Sequence, residues 1–249
     1  IGGMACFVTM LLTVLPELLP FLSVTLAVVA GTIVFGSLFG GLLAAGQLGG
    51  RRLFRWLARV YIYLIRCTPP IVMLFIVFYG LPKFFMDVFE MDINDWDKIL
   101  YVWVSFTLLF AAPVSEVMRA AYLAVGRDQY EAAVSIGLTP GQAFFHIVLP
   151  QAAVVALPNF GNSVIGLMKE GSLAYTIGLV DLIGKGQLII SIHYGARALE
   201  TYLALAFIYL GLTLGVEHLF LFLERHFAGQ PRARAVSAVE NETAAVKEA

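Results

Sequence analysis

Apolar positions run along this chain in five stretches, at about 21–46, 60–81, 99–118, 147–168 and 201–223. Each approaches the roughly 20 mostly apolar residues that a membrane-crossing helix needs. The first sits inside a segment, 18–50, with no charged residue. The second contains Arg66 and the pair Pro69-Pro70 near its start. A further apolar piece, 173–192, is interrupted by Asp181, Lys185 and three glycines. It reads as a re-entrant or interfacial segment rather than a sixth crossing. The pattern predicts an all-α integral membrane protein with five transmembrane helices in one domain, 1–228. The remaining 229–249 is rich in Ala, Glu and Val without a packing period, and is expected to be a disordered cytoplasmic tail.

Composition agrees. Of 249 residues, 60% are hydrophobic and 13% charged, and the mean hydropathy is +0.86. Soluble domains have about 45–50% apolar and about 25% charged residues. The first residues lack a basic region, so no cleavable signal peptide is expected. Cys6 and Cys67 fall near opposite membrane faces in this topology, so no disulfide between them is expected.

Charge sets the orientation. Arg51, Arg52, Arg55 and Arg59 follow the first span without an acid, and Arg119 and Arg127 follow the third. Arg225, Arg232 and Arg234 follow the fifth. Basic loops stay in the cytoplasm. The loop with Asp87, Glu90, Asp92, Asp95 and Asp97 belongs outside. Five spans satisfy all of this with the N-terminus outside and the C-terminus inside; six would expose the C-terminal arginines.

The loop 119–150 carries the most organised polar signal. Residues 129–136 are good helix formers, and Gly137 suits the left-handed position that ends a helix. Thr139-Pro140-Gly141-Gln142 restarts one: Thr139 caps, Pro140 takes the first helical position, and Gln142 completes a capping box. Glu131 is expected at the exposed start of the first helix. The alternative is an ordinary connector.

The spacing Glu131-Ala132-Ala133…Gly137…Ile147…Leu149-Pro150 resembles the EAA loop of permease subunits in bacterial ABC importers. Tyr63-Leu64-Ile65-Arg66-Cys67-Thr68-Pro69-Pro70, ending at Tyr79-Gly80-Leu81-Pro82, resembles the polar amino acid branch, in which Arg-Gly-Thr-Pro-Leu is usual; Cys67 and Pro70 depart from it. Pro150-Gln151-Ala152, Asn162-Ser163 and Lys169-Glu170-Gly171-Ser172-Leu173 are similar to the same branch, with Gly171 where Thr is usual. Residues 173–178 with Asp181 faintly resemble cystine-type permeases. The likeness covers about 20–227. It implies the type I importer permease fold, a second permease subunit (identical or paralogous), a cytoplasmic ATPase pair and an extracytoplasmic binding protein. In such families the EAA segment is a coupling helix seated on the ATPase, which points to Glu131, Ala132, Ala133, Gly137, Thr139 and Pro140. The chain has no Gly-x-x-x-x-Gly-Lys-Ser/Thr phosphate loop. It is therefore expected to bind no cofactor and not to be an enzyme, with ATP and Mg held by the partner ATPase.

Inside the membrane, Asn159, Asn162, Ser163, Gly166 and Glu170 share one face of the fourth span at i, i+3, i+4, i+7 and i+11. Charged groups near a bilayer centre cost about 2.5–3.5 kcal/mol each on insertion scales, so this face should look toward protein or water. It reads either as a substrate path or as polar glue between helices. Lys169 and Glu170, near the outer end, read as a mutual or gate-closing ion pair in preference to direct ligands of the cargo. Arg66 and Glu116 are expected near cytoplasmic ends, as structural anchors in preference to a transport role, and His193, Arg197 and Glu200 as a solvated outer face, with docking of a binding protein the alternative. His146 stands without a Cys/His cluster, so no metal site is expected. Two rivals remain. A secondary transporter or channel working without an ATPase would show inverted repeats. A membrane-embedded enzyme would need a catalytic cluster at membrane depth.

Overall fold

The computed structural model describes residues 13–49 and 51–227. The tail 229–249 and Cys6 lie outside the described residues. Within them the chain is helical from end to end, and five helices are long and apolar enough to cross a membrane. A helical lead from residue 13 and a 3-10 turn, Leu19–Phe21, run into α1, Leu22–Leu48. Then come α2, Arg52–Cys67; α3, Pro70–Phe89; and α4, Lys98–Ala124. The polar loop holds α5, Arg127–Ser135, and the short α6, Pro140–Gln142. One turn of π-helix, Ala143–Val148, leads into α7, Leu149–Gly171. A 3-10 turn, Ser172–Ile177, α8, Leu182–Ile192, and α9, Ala198–Phe227, complete the chain.

The second crossing differs from the expected 60–81. Pro69 lacks an N–H and disfavours helical backbone at Thr68, which is extended (ψ 123°). The helix therefore ends at Cys67 and restarts at Pro70, and the apolar crossing segment is Pro70–Phe89. What precedes the break is α2, a separate amphipathic helix laid against α1 and α4. Tyr61 donates to the Leu108 carbonyl at 2.7 Å, so α2 reaches the middle of α4. A hydropathy window slides over such a break because both sides are apolar.

Of the remaining elements, α8 has 11 residues, too short to cross, as the interrupted pattern predicted. It packs on α9 and on the lead into α1 through Leu182, Ile189, Leu205 and Leu18. Asp181 caps it, accepting from the Gly184 N–H at 2.8 Å. That carboxyl is 1% exposed, and burial pushes it up to about 6, against the pull of the backbone N–H groups around it.

The core is built on α1 against α4. Thr32, Gly36, Gly40 and Ala44 are all buried on one face of α1. A Cβ at Gly36 would lie 2.8 Å from Phe110 Cδ1, so the missing side chain is what lets the ring seat. Between helices in lipid, close packing of small residues supplies association that hydrophobic burial does not. α7 packs on α4 and also touches α1, with Phe160 edge-on to Phe110. This three-helix stack positions both functional regions.

Candidate functional site: a coupling corner and a membrane cavity

The polar loop folds as a corner. α5 closes with a Schellman pattern: Leu138 N–H reaches the Ala133 carbonyl and Gly137 N–H the Val134 carbonyl. Gly137 has φ +98°, the left-handed backbone expected of it. The capping box is present in both directions, with Thr139 N–H to Gln142 Oε1 at 3.0 Å and Gln142 N–H to Thr139 Oγ1 at 3.3 Å. Pro140 stands in the first turn of α6. Glu131 and Ala132 are exposed and Ala133 is buried.

Two expectations change here. α5 starts at Arg127, so Asp128 occupies the first turn, where a carboxylate meets the helix dipole. Glu131 stands one turn further in. And α6 is no free-standing helix: it runs through the π turn into α7, so helix is unbroken from Pro140 to Gly171. The corner and the fourth span are thus parts of one continuous helical run. Val134, Ile136 (81% exposed) and Phe145 give the corner an apolar outer surface, which reading the loop for its helix formers and caps did not bring out.

Within the membrane region, α7 and α4 enclose a cavity of about 360 Å³ with the break between α2 and α3. Its polar lining is Arg66, Thr68, Ser163 and Glu170, and Gly166 leaves room between them. Ser163 donates to the Asn159 carbonyl at 3.0 Å, so its oxygen lone pairs remain available as acceptors. Three members of the sequence-derived face, Ser163, Gly166 and Glu170, thus meet. Asn159 and Asn162 lie on the exposed flank of α7 and do not line this cavity.

Arg66 was not foreseen here. It was expected as a cytoplasmic anchor, but it closes the last turn of α2 and faces Leu109, Phe110 and Pro113 in the middle of α4. The Pro69-Pro70 break places it there. Arg66 and Glu170 share the cavity without an ion pair between them; among the described residues the ion pair is Glu116–Arg119, at 2.7 Å. The expected Lys169–Glu170 pair does not form within the chain. Adjacent residues on a helix point about 100° apart, and Lys169 instead lines an outer cavity with Ser172, Tyr209 and Thr213.

The geometry has known counterparts. A relative, the L-cystine transport system permease protein TcyL of Bacillus subtilis (strain 168), is 39% identical over 210 residues, covering 84% of this chain and 87% of its own. The probable amino-acid permease protein YxeN of the same organism is 34% identical, over 82% of this chain and 88% of its own. A crystal structure of an amino acid ABC transporter with histidines matches at 30% identity with a TM-score of 0.72, covering 85% of this chain and 94% of that one. The profile for the binding-protein-dependent transport system inner membrane component matches residues 37–229. Because that match runs from within α1 through the polar corner to the end of α9, the chain belongs to the family of inner-membrane components of binding-protein-dependent transport systems.

Proposed function

We propose that the chain is the permease subunit of an ATP-driven importer that moves a polar amino acid inward, with L-cystine the first cargo to test. The observation that carries this is the cavity in which Arg66 and Glu170 face one space without neutralising each other. A zwitterion fits such a site. Its carboxylate pairs with the guanidinium, where two N–H donors meet two oxygens. Its ammonium pairs with Glu170 and the Ser163 hydroxyl oxygen. Both charged groups are open to the space between them, so cargo that supplies the two counter-charges can reach both at once. The resemblance of Leu173–Gly178 to cystine-type permeases and the TcyL likeness support cystine.

In this reading the corner docks on a cytoplasmic ATPase pair, which holds ATP and Mg. Glu131, Ala132 and Gly137 are at the contact, with the exposed Val134, Ile136 and Phe145. A binding protein delivers cargo at the acidic outer loop, and a second permease subunit, identical or paralogous, completes the path that Asn159 and Asn162 face. The arginine-bearing segments support an N-terminus outside and a C-terminus in the cytoplasm. Lys169 and Glu170 then gate by contacts with other elements rather than with each other.

The test is uptake of L-cystine by the complete complex in proteoliposomes. Glu170→Gln and Arg66→Gln should each lower uptake about 10- to 100-fold, the loss of one charge-assisted hydrogen bond worth about 1.5–3 kcal/mol. Assembly is checked by size-exclusion chromatography. Wild-type uptake in both variants would overturn the site.

A further inference from the structure

Two more polar cavities continue from the central one along α2. A cavity of about 430 Å³ shares Arg66 with it and adds Arg59, Cys67 and Glu116. A third, of about 460 Å³, shares Arg59 and Glu116 and adds Gln47, Arg55 and Arg119. Shared lining residues place the three side by side along α2, from the middle of α4 to the end that bears the polar corner. Arg52, Arg55, Arg59 and Arg66 recur at i, i+3, i+7 and i+14, within an arc of about 60° on the helix. That stripe flanks the face which Ala58 and Ile62 bury against the bundle. Leu53, Trp56, Leu57 and Leu64 are exposed on the far side.

Charge grows along the series. Arg66 balances Glu170 in the first cavity, two arginines face Glu116 in the second, and three face it in the third. Arg119 already engages Glu116 through Nε at 3.1 Å and Nη2 at 2.7 Å. Gln47 is 9% exposed and lies beside Glu116; Arg55 donates through Nη2 to the Gly49 carbonyl at 2.9 Å, while its Nε and the Nε2 of Gln47 are buried without a partner in hydrogen-bonding geometry. Buried donors without acceptors are rare and call for a ligand or water.

We propose that the inner half of the cargo route runs along this arginine stripe, which passes a carboxylate from Arg66 to Arg59 and then to Arg55 and Arg119. This rests on the amino acid reading above. Donors spaced along one face let the carboxylate exchange partners without losing them all at once. Glu116, held by Arg119, offers the ammonium a passing partner and keeps the carboxylate from binding too tightly to leave. The phosphate of an anionic lipid is the competing ligand. It fits less well, because the stripe turns toward α4 and Glu116 while the apolar flank of α2 faces outward.

Cys67, exposed on the second cavity, is a built-in probe. The complete complex, with Cys6→Ala, is treated with membrane-impermeant methanethiosulfonates from the side bearing the 119–150 loop. We expect Cys67 to react, and an anionic reagent to outpace a cationic one. Arg59→Gln should lower that ratio about 3- to 10-fold, and L-cystine should slow labelling. Reaction only with a lipid-soluble maleimide, or an unchanged ratio in Arg59→Gln, would overturn the route. In uptake, Arg59→Gln should cost about tenfold and Arg59→Lys restore most of it, equally in zwitterionic and anionic vesicles. A deficit confined to anionic vesicles would assign the stripe to lipid instead. If the wild-type complex takes up no amino acid while Cys67 behaves as expected, the cargo assignment fails and the water-filled, anion-favouring route stands.

Discussion

Replacing Gly137 separates backbone strain from crowding at the coupling corner. Its φ is +98°, yet a Cβ built there meets no heavy atom within 4 Å. The penalty therefore comes from the backbone, at about 1–2 kcal/mol for an L-residue in left-handed conformation. Asn tolerates that region better. Size beyond Cβ should matter little, so Gly137→Ala and Gly137→Leu should cost nearly the same and Gly137→Asn distinctly less. If the corner must hold this shape to dock, about 1.4 kcal/mol lowers the ratio of competent to relaxed corners about tenfold, and the competent population about fivefold when the two forms start equal in energy. The assay is ATP hydrolysis by the reconstituted complex as a function of ATPase-subunit concentration. Half-saturation should shift in the order Gly, Asn, then Ala and Leu together. An Ala variant equal to wild type would refute the strain argument. A Leu variant far worse than Ala would show that the corner is crowded, against the structure.

Three other outcomes follow from the same coordinates. Gly36→Leu should destabilise the purified protein by about 1–3 kcal/mol through overpacking, because a Cβ there falls 2.8 Å from the Phe110 ring; thermal melts should show partial recovery in Gly36→Leu/Phe110→Ala, and a neutral single variant would refute the seam. Asp181 has its carboxyl raised to about 6 from an ordinary 3.8, so the native state holds the proton more tightly and stability falls as pH rises from about 4 to about 6, then levels off. Asp181→Asn should remove that slope and raise the melting temperature at pH 8 more than at pH 4; parallel pH profiles would contradict it. For topology, cysteines at Asp128 and Asn94 should label from opposite sides of inverted vesicles; both sites are exposed, whereas Gln47 is too buried to serve.

Much of this protein follows from one-dimensional chemistry. Five crossings, the short α8, the left-handed Gly137 and the Thr139–Gln142 box all depend on contacts within a few residues, or on how many apolar residues lipid demands in a row. Arg66 shows where that ends. In the chain it is an arginine near a helix start, which a snorkelling anchor explains well enough. Only the break at Pro69-Pro70, combined with Tyr61 reaching the Leu108 carbonyl, sets it opposite Glu170, a residue distant in sequence. The arginine stripe of α2 is legible as a period, but a period does not say what it faces; α4 supplies Glu116 and Arg119 across a shared cavity. The reverse holds for Lys169 and Glu170. Adjacency suggested a pair, and the helix turn sends them into different cavities, because neighbouring side chains diverge on a helix while packing decides what each one meets.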